Sequence, residues 1–371
     1  MTEDLTVRRR LAMRNCRRML ATERPLTVRE QLAELSALDV PEVLDELPDF
    51  YASGGALTRL EQQVADLLGK PDAVFFPTGT MAQQVALRYG AELTGRIGVA
   101  LHPMSHLQRW ERQAYQQLTG LRGLWPTDAP RPYTAAELAE LGQPYGTATV
   151  ELPLRDAGFL LPSWAELTAV VDQARSAGAR VHFDGARLWD CTPHFGRPLA
   201  EIADLADSVY VSLYKTLGAV HGAVLAGDAA LTAYARTWRH RHGGTVWQNW
   251  PAALGGLAGL AHALPRVPEW TAHARLLAEA LSRLPGARLN PAVPQTHQFQ
   301  LYLPYSADAL NAANLQLAET EQLWFAGGWS DAAPGLAMAE LTIRRSAQEW
   351  TAEDVLTAGR RLLELAAAQA Q

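Results

Sequence analysis

The chain has 371 residues, 48% of them hydrophobic and 19% charged, with no low-complexity tract and no internal repeat. This excludes a disordered or fibrous protein and leaves an ordinary globular chain of about two or three domains. A net charge of -6 argues against a general polyanion binder, so no nucleic-acid partner is expected. Cys16 and Cys191 lack any metal-ligand spacing, no run approaches the ~18 apolar residues of a membrane span, and the N-terminus has no apolar signal core. The expectation is a cytoplasmic protein without metal, disulfide or membrane anchor.

Residues 5 to 38 carry helix-like apolar spacing (Leu5, Leu11, Met19, Leu20, then Val28, Leu32, Leu35) interrupted by Pro25, which predicts two short helices. The arginines at 8, 9, 10, 14, 17 and 18 read either as a nucleic-acid or membrane patch or as the outward or subunit-facing side of an amphipathic helix. From residue 57 strands and helices alternate. LTRLEQQVADLLG predicts a helix ending at Gly69, AVFF a short buried strand, and TGTMAQQVALRYG a helix opening after a glycine. RIGVAL (96–101), TATVEL (147–152), ARVHF (179–183), DSVYVSL (207–213) and GAVLAG (222–227) continue as strands, with helical patterns such as SWAELTAVVDQARSAG between some of them. The fold class expected is α/β, a largely parallel sheet covered by helices. After about residue 245 the chain turns Ala/Leu-rich, with strand-like runs HQFQLYLP, LWFAGGW and MAELTIR and a last helix at 352–368, which predicts a smaller α+β domain. The expected division is 1–45, an N-terminal helical segment; 46–245, the large domain; and 246–371, the small domain. A long helix somewhere in 228–270 could join the last two.

In an open parallel sheet, ligands bind beyond the carboxyl ends of the strands, so polar residues that follow strands are the candidates. Thr78-Gly79-Thr80 follows AVFF at a helix N-terminus, where free N–H groups favour phosphate; the same triplet is also an ordinary helix cap. His102 and His106 follow RIGVAL. Asp184 and Arg187 follow ARVHF, either as a local ion pair or as a carboxylate for a protonated ring nitrogen beside a guanidinium for an anionic oxygen. Lys215, one of two lysines with Lys70, follows DSVYVSL. It is either an exposed structural lysine or a primary amine poised for a Schiff base, which arginine cannot form. Scarcity of lysine is itself only supporting, because codon bias produces it too. A phosphate site, a stacking histidine, a carboxylate for a ring nitrogen and an amine for an aldehyde are together what pyridoxal phosphate requires.

In these motifs the chain resembles the threonine aldolase and aromatic amino acid β-eliminating lyase family, pyridoxal-phosphate enzymes with the aspartate aminotransferase-like fold. The resemblance covers roughly residues 50–245 and rests on YASGGALTRLEQQVADLLGK, FFPTGTMAQQVAL, HLQRWE, VHFDGARLWD, SLYKTLGAVHGAVLAG and RHGG, in family order. It implies a three-layer large domain that binds the cofactor. Gly79 and Thr80 would bind its phosphate, His106 would stack on its ring and Asp184 would pair with the ring nitrogen. Arg187 would contact its phenolic oxygen or the substrate carboxylate, Lys215 would bond its aldehyde, and Ser212 would join the binding set. Glu111 would stand behind His106. Tyr51 and RHGG would reach a neighbour's active site, implying a homodimer or homotetramer with shared sites.

The chain departs from the family's pattern in three places. About 40 residues of Arg-rich helix replace the family's short N-terminal Arg-Ser-Asp-Thr-like segment, ELPLRDAGF replaces its Glu-Asn-Thr-His-Asn-like stretch, and the carboxylate-gripping arginine has two candidates, Arg344 and Arg345. The implied reaction is aldol cleavage of a β-hydroxy-α-amino acid to glycine and an aldehyde, with His106 or His102 as the base. The alternatives are β-elimination, racemisation or, from another class, a noncatalytic nucleic-acid binder.

Overall fold

The computed structural model describes residues 3–369. They form two compact units, one spanning Leu35–Arg266 and the other joining the chain up to Glu34 with the chain from Val267 onward. The expected cuts at 45/46 and 245/246 therefore move to 34/35 and 266/267. Residues 246–266 stay with the larger unit because helix Trp250–Ala258 packs on helix Gly55–Leu67. A side chain at Gly256 would come within 3.0 Å of Leu60.

The larger unit is built on seven strands: β1 (Asp72–Phe76), β2 (Gly98–Ala100), β3 (Arg122–Leu124), β4 (Thr147–Glu151), β5 (Arg180–Gly185), β6 (Ser208–Ser212) and β7 (Ala223–Gly227). Their order is β1-β7-β6-β5-β4-β2-β3. The pairs from β6 to β3 are parallel, whereas β7 runs antiparallel to both β1 and β6. All three layers follow from the twofold alternation of side chains along a strand. Phe75, Val150, Phe183 and Val209 point to the face covered by helices Gly55–Leu67 and Trp164–Ser176. Val74, Phe76, Tyr210 and Leu225 point to the opposite face, under helices Gly79–Thr94 and Ala229–Arg241. Glu151, Asp184 and Tyr210 are register partners on β4, β5 and β6, so they share this second face.

The other unit holds an antiparallel sheet of β8 (Arg288–Asn290), β9 (Gln298–Leu303), β10 (Ser330–Ala333) and β11 (Leu336–Thr342), in the order β10-β11-β9-β8. Phe299, Leu301, Leu341 and Trp350 form its core with helices Val267–Leu281, Ala307–Glu321 and Ala352–Gln369. The two predicted N-terminal helices are Glu3–Asn15 and Val28–Ser36. Between them Arg18–Met19 pairs with Leu323–Trp324, which binds this segment to the C-terminal unit. Arg8 meets Glu319 at 2.6 Å, Arg14 meets Glu30 at 2.6 Å and Arg18 meets Asp354 at 3.1 Å, so three of the six N-terminal arginines are spent on the protein's own carboxylates.

Candidate active site

The candidate residues of the larger unit come from chain segments that leave the carboxyl ends of neighbouring strands. Asp184 is the penultimate residue of β5, only 1% exposed. Its Oδ1 accepts the Ala186 N–H at 3.3 Å, while its Oδ2 is buried without a hydrogen-bond partner. A buried carboxylate oxygen left unpaired is costly unless a cationic or N–H group completes it. Behind it on the same strand, His182 is held neutral: burial lowers its pKa to about 4, and its ring bridges Ser208 at 2.7 Å and Gln83 at 2.6 Å.

Lys215 lies three residues beyond β6. Burial and the Arg187 guanidinium lower its pKa to about 8, against the opposing pull of Asp184 and Glu151; Arg155 lowers it further. A useful fraction of the amine is then unprotonated near neutrality. Lys70, by contrast, donates its ammonium to the Ala206 carbonyl at 2.7 Å and serves the scaffold. Ser212 ends β6; its carbonyl accepts the Trp189 indole N–H at 2.9 Å and its buried Oγ has no partner.

His106 opens the short helix His106–Arg109. Its backbone N–H donates to Glu151 Oε2 at 2.7 Å and its Nδ1 to Glu111 Oε1 at 3.1 Å. Burial opposes a charge on this ring, but the Glu111 hydrogen bond and the field of Asp184 outweigh it, and the pKa is raised. Glu111 itself is pushed upward by burial. His102 is already engaged. Its Nε2 donates to the Ala129 carbonyl at 2.9 Å and its Nδ1 accepts the Met104 N–H at 3.0 Å, so the neutral ring ties one loop to another. Burial lowers its pKa accordingly.

Helix Gly79–Thr94 begins with Thr78 as its cap, Oγ1 accepting the Met81 N–H. Gly79 and Thr80 present N–H groups that helix geometry cannot satisfy internally. A Cβ on Gly79 would run into the Tyr210 hydroxyl, so glycine is demanded here by the tyrosine beneath the helix end.

Arg187 caps the turn after β5 with its guanidinium 5.3 Å from the Phe159 ring centre. Tyr51, at positive φ, donates its N–H to the Trp247 carbonyl at 3.0 Å and packs edge-on against that indole. In RHGG, Gly244 returns its N–H to the Arg239 carbonyl at 2.8 Å. Arg344 and Arg345 belong to the other unit, where Arg344 stacks 5.5 Å from the Trp270 ring. A groove of about 580 Å³ in that unit, lined by Val7, Arg8, Leu11, Ala12 and Glu319, carries none of this chemistry.

One site residue escaped the sequence reading. Glu151 closes β4, is register partner of Asp184, and accepts N–H groups from His106 and, at 3.1 Å, Arg155. Burial and the neighbouring Asp184 raise its pKa to about 7. Its signal was its position, an acidic residue at the end of an apolar strand beside the strand that carries Asp184.

The family model for the beta-eliminating lyases matches residues 45–303. The chain belongs to the beta-eliminating lyase family. This lyase is 32% identical to an Exiguobacterium sp. 255-15 protein of known structure, provisionally named aromatic amino acid beta-eliminating lyase/threonine aldolase, over 96% of this chain and 99% of that one, with a TM-score of 0.89. A provisionally named L-allo-threonine aldolase of Listeria monocytogenes EGD-E is 30% identical over 97% and 99% of the two chains, also with a TM-score of 0.89. Low-specificity L-threonine aldolase 1 of Arabidopsis thaliana is 29% identical over 250 residues, 64% of this chain and 69% of that protein. The lyase depends on pyridoxal phosphate, and its residues fit that group. The unpartnered Asp184 oxygen suits a pyridinium N–H, the depressed Lys215 amine suits an aldehyde, and the Gly79–Thr80 helix end suits a phosphate.

Proposed function

We propose that this lyase cleaves a β-hydroxy-α-amino acid between Cα and Cβ, releasing glycine and an aldehyde. The observation that carries the reading is the convergence of a depressed lysine amine, a buried carboxylate with one unpaired oxygen and an imidazole whose proton affinity is raised against burial by Glu111 and Asp184. Bound pyridoxal phosphate supplies an electrophilic aldehyde and a ring that accepts the electron pair released at the substrate α-carbon.

The chain's own groups divide the remaining work. Gly79 and Thr80 would hold the phosphate, with Ser212 in the binding set, and His106 would lie against the ring. Asp184, through its unpartnered Oδ2, would keep a proton on the ring nitrogen. Lys215, partly neutral at working pH, would supply the primary amine that holds the cofactor through its aldehyde. Arg187 would offer a planar fork for the substrate carboxylate and so would fix which bond at the α-carbon is presented for cleavage. His106 takes the β-hydroxyl proton on Nε2, the nitrogen that Glu111 leaves open, and the Glu111 carboxylate stabilises the charged ring that results. His102, with both nitrogens committed, has no part in this scheme.

A second reading, β-elimination, draws on one feature: an amine with a pKa of about 8 is also suited to removing an α-proton. Purified protein loaded with cofactor and given a panel of amino acids separates the two. Glycine plus aldehyde from a β-hydroxy amino acid supports the first; pyruvate plus ammonia without glycine replaces it with the second.

A homodimer or homotetramer with shared sites belongs to the same proposal, supported by the exposed aromatic cluster of Phe50, Tyr51 and Trp247. Light scattering after gel filtration tests it. Among the described residues no helix is long and apolar enough to cross a membrane. Residence in the cytoplasm is supported by two buried, unpaired cysteines.

A further inference from the structure

Ser208, Tyr210 and Ser212 alternate along β6 and so share the face beneath helix Gly79–Thr94. The first hydroxyl is taken, by His182 at 2.7 Å. The other two are not: Ser212 Oγ is buried without a partner, and Tyr210 Oη makes no hydrogen bond among the described residues. Tyr210 is only 3% exposed, and a phenol at that depth ordinarily finds a hydrogen-bond partner. Its ring packs in one cluster with Phe76, Ala82 and Ala186, which fixes where the hydroxyl points.

That hydroxyl lies against the Gly79 main chain. A Cβ built on Gly79 would collide with Oη and with the ring carbon that bears it, so the phenol ends beneath the first residue of the helix. The helix end offers N–H donors and the positive end of a 16-residue dipole. Burial, with the field of Asp184, pushes the Tyr210 pKa well above the usual phenol range, so the proton stays on the oxygen as one more donor. Asp184, its register partner, does not accept it: Oδ1 takes the Ala186 N–H and Oδ2 is unpaired. The acceptor that suits a phenol and a helix N-terminus together is an anionic oxygen.

We propose that Tyr210 is a further cofactor-binding residue, whose hydroxyl donates to a phosphate oxygen of pyridoxal phosphate at the Gly79–Thr80 helix end. The proposal rests on that placement of the phosphate and not on which substrate bond is cleaved. The phenol approaches from the sheet, on a side that the helix N–H groups do not cover. Glycine at 79 then serves the cofactor as well as the packing, because a side chain there would push the phenol away from the helix end.

The test measures the affinity of the cofactor-free full chain for pyridoxal phosphate and for pyridoxal, which lacks the phosphate, in the wild type and in Tyr210→Phe. The substitution removes the hydroxyl and keeps the ring, and circular dichroism confirms the fold. Tyr210→Phe should bind pyridoxal phosphate at least about tenfold more weakly, the scale of a hydrogen bond to a charged acceptor, and bind pyridoxal as the wild type does. Calorimetric binding of inorganic phosphate should weaken in parallel. Unchanged affinity for pyridoxal phosphate overturns the proposal, and so does an equal loss for both ligands, which would put the hydroxyl on the ring. Hydrogen exchange at the Gly79 and Thr80 amides of the wild type, slowed by pyridoxal phosphate and not by pyridoxal, reads the phosphate placement separately. If that exchange is slowed and Tyr210→Phe discriminates between the ligands as the wild type does, the placement stands and the proposal fails. If the exchange is not slowed, yet Tyr210→Phe loses affinity for pyridoxal phosphate alone, the helix-end placement fails and the tyrosine contact stands.

Discussion

The backbone N–H of His106 donates to the carboxylate of Glu151 at 2.7 Å, across 45 residues of sequence. The same carboxylate takes the Arg155 N–H, so one buried side chain anchors two walls of the site. Glu151→Ala would orphan both donors, at about 1–3 kcal/mol for each buried group left unpaired. Thermal unfolding of the cofactor-free protein should register the loss. Cofactor affinity should fall with it, because His106 is no longer held in place.

Lys215 has a folded pKa of about 8, against about 10.4 in an unfolded chain. Between those values the unfolded chain holds the extra proton, so the stability of the cofactor-free protein should rise with pH across this window, by on the order of 1–3 kcal/mol from this group. In Lys215→Met that contribution disappears. Urea unfolding of both proteins at about pH 7.5 and pH 10 reads the difference; identical pH slopes would mean that the amine is not depressed. Lys215→Met should also carry no cofactor mass after borohydride reduction.

Glu111 keeps the His106 pKa high through its hydrogen bond to Nδ1. Glu111→Gln removes the carboxylate, so the His106 pKa should drop and the acidic limb of the pH–rate profile should move to lower pH. Catalytic rate should fall as well, by about 10- to 100-fold, since the charged ring formed during proton transfer loses its partner. An unmoved acidic limb would assign that limb to another group.

Gly79→Ala would push a methyl group into the Tyr210 hydroxyl. Overpacking of this kind costs about 1–3 kcal/mol, and here it would also displace the helix end offered to the phosphate. Weaker cofactor binding is expected together with a lower melting temperature. Tyr210→Leu in the same chain should recover the stability, since it removes the ring that the methyl group meets.

Alternation of strand and helix from Leu57 to Gly227 was legible because each element carries its own periodicity. So were Asp184, His106 and Lys215, polar residues that follow apolar runs. Less visible were features whose cause lies in a distant partner. Arg122–Leu124 is only three residues long and becomes a strand by pairing at the sheet edge with β2. GAVLAG looks like any buried strand, and nothing in its composition says that it runs antiparallel between β1 and β6. The region of 228–270 admitted one long helix; the chain instead breaks after Arg241 and resumes at Trp250. Asp49, buried, accepts the Asn249 N–H at 2.9 Å in the new turn.

The sequence by itself determined which residue types stand where the strands end: a carboxylate at Asp184, a guanidinium at Arg187 and a primary amine at Lys215. These follow from side-chain type and from the period of the apolar pattern, both of which are local. Tertiary structure alone decided how those groups are tuned. Burial and the fields of Arg187, Asp184, Glu151 and Arg155 set the proton affinity of Lys215, and Glu151 joins His106 to Arg155 through hydrogen bonds that no spacing announces. Desolvation and Coulomb interactions depend on distances through space, and those exist only once the chain has folded.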